Sequence, residues 1–470
     1  MHSIQQPLST APSADLAVIG SGPGGYEAAL LGAKAGMKVV LIEKGALGGV
    51  CVNWGCIPTK ALLRSGELFD MSRKADAFGL KLQGFQIDLA EAVKRSRTVV
   101  QKTSKGIGFM LRRAGVEVIQ GEAVFRTPHE LEIFRDGAAA ATLTAANIII
   151  ASGSCPRQLP GLEPDGTYII TSRDALALKE LPRSMIVVGG GAIGVELAWF
   201  YRMAGSEVTL VELINRLLPL EDEEISEGLK RSFQKAGITV ATNSKLQDVA
   251  VREGQVTALL VQEGAAPQPV TAACVLVAVG VGGNAGGLGL EHAGVEVARG
   301  FIVTDEACRT SAHHIFAIGD VRGGMLLAHK ASLEASIAVK AIGGNKSEPL
   351  DESMIPRCVY AEPSVASIGL SEEQALAKGY EVRVGRSMFA ASGKANAYGN
   401  LEGFVKLVFN AEDGTLLGAH VLGHGSVELI GELTLARRLG VTAEQLAGTV
   451  HAHPTLSETV KEAAENALHG

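Results

Sequence analysis

Two stretches of the chain carry the same alternation of apolar and polar positions. Leu16 to Glu43 reads LAVIGSGPGGYEAALLGAKAGMKVVLIE, and Met185 to Glu212 reads MIVVGGGAIGVELAWFYRMAGSEVTLVE. Each begins with a short apolar run and turns through Gly-x-Gly-x-x-Gly. Each then places apolar residues at helical spacing and ends in a second apolar run closed by a glutamate. That order predicts strand, turn, helix and strand, a βαβ unit. The copies align without a gap at an offset of 169 residues. Gly20, Gly22 and Gly25 fall on Gly189, Gly191 and Gly194, and Glu43 falls on Glu212.

Between the copies, residues 61–145 read as helical and then strand-like. ASGSCP at 151–156 reads as a strand end leading into a crossing linker, and AVGVGGN at 278–284 as the return. HHIFAIGDV at 313–321 reads as a strand ending in Gly319 and Asp320. An acid there suits a ligand at a strand's C-terminal end, and equally suits the N-cap of the next helix. From about residue 350 the pattern changes. VYAEPSVASIG, EVRVGRSMF and FVKLVFNAEDGTLLGAHVLG read as antiparallel strands, with Asp413 and Gly414 as a hairpin turn, and about the last 45 residues read as helical. The expected class is α/β, with two Rossmann-like dinucleotide-binding domains and a C-terminal α+β domain built on an antiparallel sheet. The expected boundaries are 1–152 with 281–349, then 153–280, then 350–470, with residues 1–14 as a flexible tail.

The glycine turns carry a specific chemistry. The first glycine makes the tight turn, the second lets backbone approach a pyrophosphate, and the third lets helix pack closely on strand. The helix N-terminus then faces the phosphates. A glutamate at the end of the second strand accepts hydrogen bonds from ribose hydroxyls. Two such turns imply two dinucleotides and a path for electrons between them. Glu212 would repel a 2′-phosphate, which favours NAD over NADP. Arg216, four residues on, softens that preference or makes a surface or phosphate contact.

Composition narrows the class. The chain has 470 residues, 47% hydrophobic and 20% charged, a globular balance for two to four domains. A net charge of −7 argues against nucleic acid as the main partner. No run of 18 apolar residues is present, and the first 14 residues lack the basic end and apolar core of a secretory signal. Four of the six cysteines (Cys155, Cys274, Cys308 and Cys358) stand alone, which suits a reducing, cytoplasmic setting.

The other two stand together in GGVCVNWGCIPTK, residues 48–60. In an ideal helix, residues five apart have Cα atoms about 8.7 Å apart. A disulfide wants less than roughly 7 Å, so a bridge between Cys51 and Cys56 needs a distorted turn, to which Gly55 and Pro58 can contribute. So short a loop gains little from cross-linking, and zinc would need two further ligands. The spacing leaves a redox couple, two free buried cysteines and a metal pair as alternatives. The C-terminal His451-Ala-His-Pro-Thr-Leu-Ser-Glu458 also reads two ways. Thr455 and Glu458 have the spacing of a capping box, while His453 with Glu458 has the makings of a base and its orienting acid. His451 reads as structural.

Taken together, GGVCVNWGCIPTK after a FAD-type turn, a second turn, a Gly-Asp strand with AHKA, and a terminal HAHPTLSE resemble the pyridine nucleotide-disulfide oxidoreductases. The match runs from Asp15 to about Leu468 and is closest to the branch that oxidises dihydrolipoyl groups. The resemblance implies that Gly20, Gly22, Gly25 and Glu43 bind FAD, with Gly319 and Asp320 at its ribityl and phosphate region and Ala328 and His329 near the flavin. It implies that Cys51 and Cys56 form a disulfide beside the flavin, and that Lys60 sits near the flavin N5 and pairs with Glu196. Glu196 also has a plainer reading as a helix residue, since it aligns with Glu27. Gly189, Gly191, Gly194 and Glu212 would bind NAD. His453 and Glu458 would reach the disulfide of the other subunit, making the protein a homodimer joined through its C-terminal domain. The implied substrate is a dihydrolipoyl group on the acyltransferase of a 2-oxo acid dehydrogenase complex or on a glycine-cleavage carrier protein. Ala335 stands where the family usually has glycine, and YAEPSV at 360–365 is a variant turn. A glutathione-type reductase would want basic residues around Glu212, and a mercuric reductase a C-terminal cysteine pair. A flavin-containing binding subunit would have little need of Cys51, Cys56, His453 and Glu458.

Overall fold

A computed structural model describes residues 13–346 and 348–469. The tail expected over residues 1–14 lies outside the described residues up to residue 12. Ser13 already donates its N–H to the Thr144 carbonyl, and Ala14 opens the first strand. The chain divides into two compact units. One is formed by residues 1–58, 97–155 and 281–350, the other by 59–96, 156–280 and 351–470.

The first unit is built on a parallel sheet in the order Glu117–Gln120, Val39–Glu43, Ala14–Ile19, Ala138–Ile150, Ile315–Ala317. The strand Val39–Glu43 is buried at every position, as expected for a parallel strand covered on both faces. The first half of Ala138–Ile150 instead pairs antiparallel with Glu130–Arg135, which continues to Glu122–Thr127. The helices Pro23–Lys34 and Ala328–Ile342 lie against each other so closely that a Cβ on Gly24 would be 3.0 Å from the Ala331 carbonyl oxygen.

The second unit repeats the parallel theme in the order Thr239–Ala241, Glu207–Val211, Ser184–Val188, Cys274–Val277, Ile169–Thr171. An antiparallel sheet of Ser244–Arg252, Gln255–Gln262 and Gln268–Ala272 accompanies it. The C-terminal part is a five-stranded antiparallel sheet in the order Arg357–Val359, Val365–Gly369, Leu416–Gly423, Gly403–Asn410, Val382–Met388. Asp413 anchors the hairpin by accepting the Thr415 N–H at 2.9 Å, and Gly414 has φ +74°. Asp222, which caps the helix Glu223–Lys235, and Glu224 on that helix both pair with Lys406 of this sheet, at 3.0 and 2.7 Å.

Three local expectations change. The 313–321 strand is shorter, Ile315–Ala317, because Gly319–Arg322 winds into a 3-10 turn. Asp320 does not cap the following helix, whose N-cap is Leu327. The C-terminal helical stretch is broken: Ser426–Leu439, Ala443–Ala447 and Glu458–His469 are helices, and residues 448–457 are not.

Candidate functional site

The two glycine turns have the same geometry. Gly20 and Gly189 have φ of +96° and +112°, a region closed to most side chains. A Cβ on Gly25 would lie 2.0 Å from the Gly20 carbonyl oxygen, and one on Gly194 would lie 1.9 Å from that of Gly189. Gly22 and Gly191 are different: a Cβ there would meet no protein atom within 4 Å. Each is the N-cap of its helix, and neither helix has a capping side chain. Open space, a bare helix N-terminus and its partial positive charge are what a pyrophosphate needs.

The glutamates are aimed by the turns they serve. Glu43 Oε2 accepts the Ser21 N–H at 2.8 Å and the Ser21 hydroxyl at 2.6 Å, while Oε1 accepts the Gly45 N–H at 2.7 Å. Glu212 repeats the arrangement: Oε2 accepts the Gly190 N–H at 2.6 Å and Oε1 the Ile214 N–H at 2.9 Å. A carboxylate has about four acceptor sites, so each retains capacity for ribose hydroxyls. The residues therefore fit a dinucleotide at both turns.

The cysteine segment is built onto the first turn. The Gly48 N–H donates to the Ser21 carbonyl and hydroxyl, both at 3.1 Å. A Cβ on Gly49 would lie 2.6 Å from Gly22 Cα. The helix Gly49–Trp54 carries Cys51 and ends at Gly55, whose φ of −139° and ψ of −110° are far from helical. A new helix, Cys56–Arg73, begins with Cys56. That break brings the two Cα atoms to 4.7 Å, and the sulfurs are bonded. Asn53 Nδ2 ties the segment down through the carbonyls of Ala46, Leu47 and Gly49. Arg97 donates to the Asn53 carbonyl at 2.8 Å and covers the Trp54 ring at 4.6 Å. The motif advertised its cysteines but not these supports, because Arg97 is 44 residues away in sequence.

Asp320 Oδ2 accepts the Ser154 hydroxyl at 2.6 Å. The turn bearing Gly319 and Asp320 is held by Glu334, fully buried, which accepts the Gly319 N–H at 2.6 Å and pairs with Arg322 at 2.7 Å and Lys330 at 2.9 Å. Two cations and a backbone donor satisfy a carboxylate that would otherwise be costly to bury. Ala328 and His329 open the helix that carries Lys330 and Glu334.

In the second unit, Lys60 Nζ lies 3.0 and 2.9 Å from the two oxygens of Glu196, which is only 5% exposed. Glu196 also accepts the Tyr360 N–H at 2.9 Å, and the Tyr360 ring lies under Lys60 Nζ at 4.2 Å. The alignment of Glu196 with Glu27 gave no sign of this pairing. His453 Nδ1 lies 2.9 Å from Glu458 Oε1, and Glu458 Oε2 accepts the Thr455 N–H at 2.8 Å. Glu458 thus meets both His453 and Thr455. The capping box is incomplete, because the Thr455 hydroxyl donates to the Ala452 carbonyl instead. The Thr455 N–H, then His453, hold the Glu458 carboxyl below its ordinary range. His451 Nε2 is paired with Glu432 at 2.9 Å. Among the described residues, no helix is long and apolar enough to cross a membrane.

Residues 14–335 match the family described as pyridine nucleotide-disulphide oxidoreductase, and residues 355–464 match its dimerisation domain. The chain is 64% identical over 465 residues to a dihydrolipoyl dehydrogenase of Chlorobaculum parvum, covering 99% of each chain. It is 42% identical over 473 residues to a dihydrolipoyl dehydrogenase of Rhizobium etli, covering 97% of this chain and 98% of that one. Among solved structures, LpdA from Mycobacterium tuberculosis is similar with a TM-score of 0.89 at 29% identity, over 96% of this chain and 99% of that one. The HOCl-induced flavoprotein disulfide reductase RclA from Escherichia coli has a TM-score of 0.85 at 28% identity, over 96% and 99%.

Proposed function

The chain belongs to the pyridine nucleotide-disulphide oxidoreductase family, and we propose on that basis that it oxidises protein-bound dihydrolipoyl groups to lipoyl while reducing NAD+ to NADH. The observation that carries this reading is the Cys51–Cys56 disulfide, which joins the helix whose N-terminus abuts the first glycine turn to the helix that follows it. A bridge of five-residue separation staples little chain, so its use is chemical.

Residues 1–152 with 281–349 hold FAD, residues 153–280 hold NAD, and residues 350–470 form the interface of a homodimer. Gly20, Gly22, Gly25, Glu43, Gly319 and Asp320 take FAD, with Lys60, Ala328 and His329 toward its flavin. Gly189, Gly191, Gly194 and Glu212 take NAD, and Glu196 fixes Lys60. FAD supplies a two-electron acceptor for the reduced cysteines and a hydride donor for NAD+.

The chain's own residues manage sulfur and protons. His453 takes a proton from one substrate thiol, and the resulting thiolate attacks Cys51 of the other subunit of the homodimer. The Cys51–Cys56 bond breaks, leaving a mixed disulfide at Cys51 and a thiolate at Cys56. The second substrate thiol attacks the substrate sulfur of the mixed disulfide, and its proton passes to the departing Cys51 sulfur. That closes the lipoyl ring and releases Cys51, so the dithiol has given two electrons and two protons. Glu458 orients His453 through Nδ1. The lipoylated partner is an acyltransferase of a 2-oxo acid dehydrogenase complex or a glycine-cleavage carrier protein, met in a reducing cytoplasm.

Purified chain with FAD, assayed for NADH formation from dihydrolipoamide, tests the reading; bound FAD without turnover overturns it. His453→Gln lowers turnover by roughly 10²–10⁴-fold, the range of a lost general base. Cys56→Ser keeps yellow FAD but loses the long-wavelength thiolate–flavin absorbance on two-electron reduction. Retention of that band would assign it to Cys51 rather than to the Cys56 thiolate that the exchange leaves.

A further inference from the structure

The loop beyond Glu212 is closed on the second glycine turn. Glu212 Oε2 accepts the Gly190 N–H, and the Leu218 N–H returns to the Gly190 carbonyl at 2.9 Å. Leu217 seals the side, since a Cβ on Gly190 would lie 2.8 Å from its Cδ2. Arg216 sits within this closed loop. Arg216 lies four residues beyond the carboxylate assigned to the ribose, and a guanidinium has the fork geometry and permanent charge to receive a 2′-phosphate.

That guanidinium is already engaged. Arg216 Nη1 lies 3.2 and 3.4 Å from the two oxygens of Glu373, and Nη2 lies 3.3 Å from one of them. Glu373 stands in the first turn of the helix Glu372–Ala377, which is fixed by a capping box between Ser371 and Gln374. The partner of Arg216 is therefore supplied by a segment 157 residues away in sequence. Arg216 holds the Glu373 carboxyl below its ordinary range, so the pair stays ionised at neutral pH. Glu223 and Asp222 lie near enough to Glu373 to influence it, which keeps the surroundings acidic.

We propose that Glu373 is a specificity residue: by occupying Arg216 and adding its own negative charge, it makes the second dinucleotide site reject a 2′-phosphate and take NAD rather than NADP. The inference rests on the reading of the second glycine turn as an NAD site. Discrimination of this kind works by penalising the wrong ligand. NADP would have to break a two-pronged pair or crowd a dianion beside Glu373. Glu212 repels the 2′-phosphate, and Glu373 occupies the cation that Arg216 would otherwise offer.

The holoenzyme is assayed with dihydrolipoamide and either NAD+ or NADP+, as the unaltered chain and as Glu373→Gln, Arg216→Gln and the double variant. In Glu373→Gln the ratio of kcat/KM for NADP+ over NAD+ rises roughly tenfold, the scale of one charge-assisted contact made available. The rise vanishes in the double variant. Adenosine 2′,5′-bisphosphate, compared with AMP as a competitor of NAD+, reports the same shift without turnover. An unchanged ratio with NAD+ turnover intact overturns the gate and leaves the NAD reading standing. An equal rise in the double variant overturns the part assigned to Arg216. Absence of NAD+ turnover in the unaltered holoenzyme overturns the reading and the gate together.

Discussion

Lys60 and Glu196 stand 136 residues apart in sequence, and the Lys60 ammonium bonds both oxygens of the buried Glu196 carboxylate. Glu196 is the more dependent partner. It has 6% of its side chain exposed, against 32% for Lys60.

This asymmetry predicts unequal variants. Lys60→Met leaves a buried carboxylate with only the Tyr360 N–H among the contacts described above, and costs about 2–3 kcal/mol of stability. Glu196→Gln keeps an acceptor for that N–H and leaves an ammonium that water reaches, and costs about 1 kcal/mol. Urea unfolding of the holoenzyme measures both, and a larger loss for Glu196→Gln would contradict the assignment of burial.

The glycine turns predict a separation of folding from binding. Gly22 and Gly191 have φ of −60° and −76°, values open to alanine, and a Cβ there meets no protein atom. Gly22→Ala and Gly191→Ala change stability by less than about 1 kcal/mol. The first nonetheless lowers the FAD content of the purified protein, and the second raises the KM for NAD+. Gly25→Ala and Gly194→Ala drive a methyl into a carbonyl oxygen and cost roughly 3 kcal/mol. Unfolding curves, flavin absorbance and NAD+ kinetics separate the two classes. Full FAD content in Gly22→Ala would remove the pyrophosphate from that turn.

The ion cluster between the helix Glu223–Lys235 and the C-terminal sheet predicts an acid-sensitive step. The Arg386 guanidinium, with Lys406 behind it, holds Glu224 down to about 2. The folded value lies below the unfolded one. Its contribution is therefore complete above about pH 4.5 and lost as the pH falls toward 2. Because 41% of the side chain is exposed, that contribution is roughly 1 kcal/mol rather than the full shift. Arg386→Gln flattens the dependence of stability on pH across this window. Urea unfolding at a series of pH values tests it, and an unaltered slope would place the titrating carboxylate elsewhere.

The βαβ repeat, the glycine turns and the paired glutamates were legible because each is local. A helix period, a strand run and a glycine where backbone must bend leave their marks within about thirty residues. The cysteine pair was legible as a pair but not as a bond, because an ideal helix would have held the two too far apart. The break at Gly55 decided it. Asp320 read along the chain both as a ligand-facing acid and as a helix cap; the turn through Gly319–Arg322 and the Leu327 N-cap removed the second reading, and its carboxylate meets Ser154.

The sequence by itself determined which residue types the chemistry has at hand, since Cys51, Cys56, His453, Glu43 and Glu212 are set by covalent order and local turns. Tertiary structure decided which charges neutralise one another. Glu196 took Lys60, as the family resemblance implied, while Glu334 took Arg322 and Lys330 and Glu373 took Arg216, which no reading along the chain had paired. The physical reason is that ion pairing depends on distance through space, and two of those pairings join residues more than a hundred positions apart. Arg216 therefore reads along the chain as a cation for a surface or phosphate contact, and in the fold it is paired with Glu373.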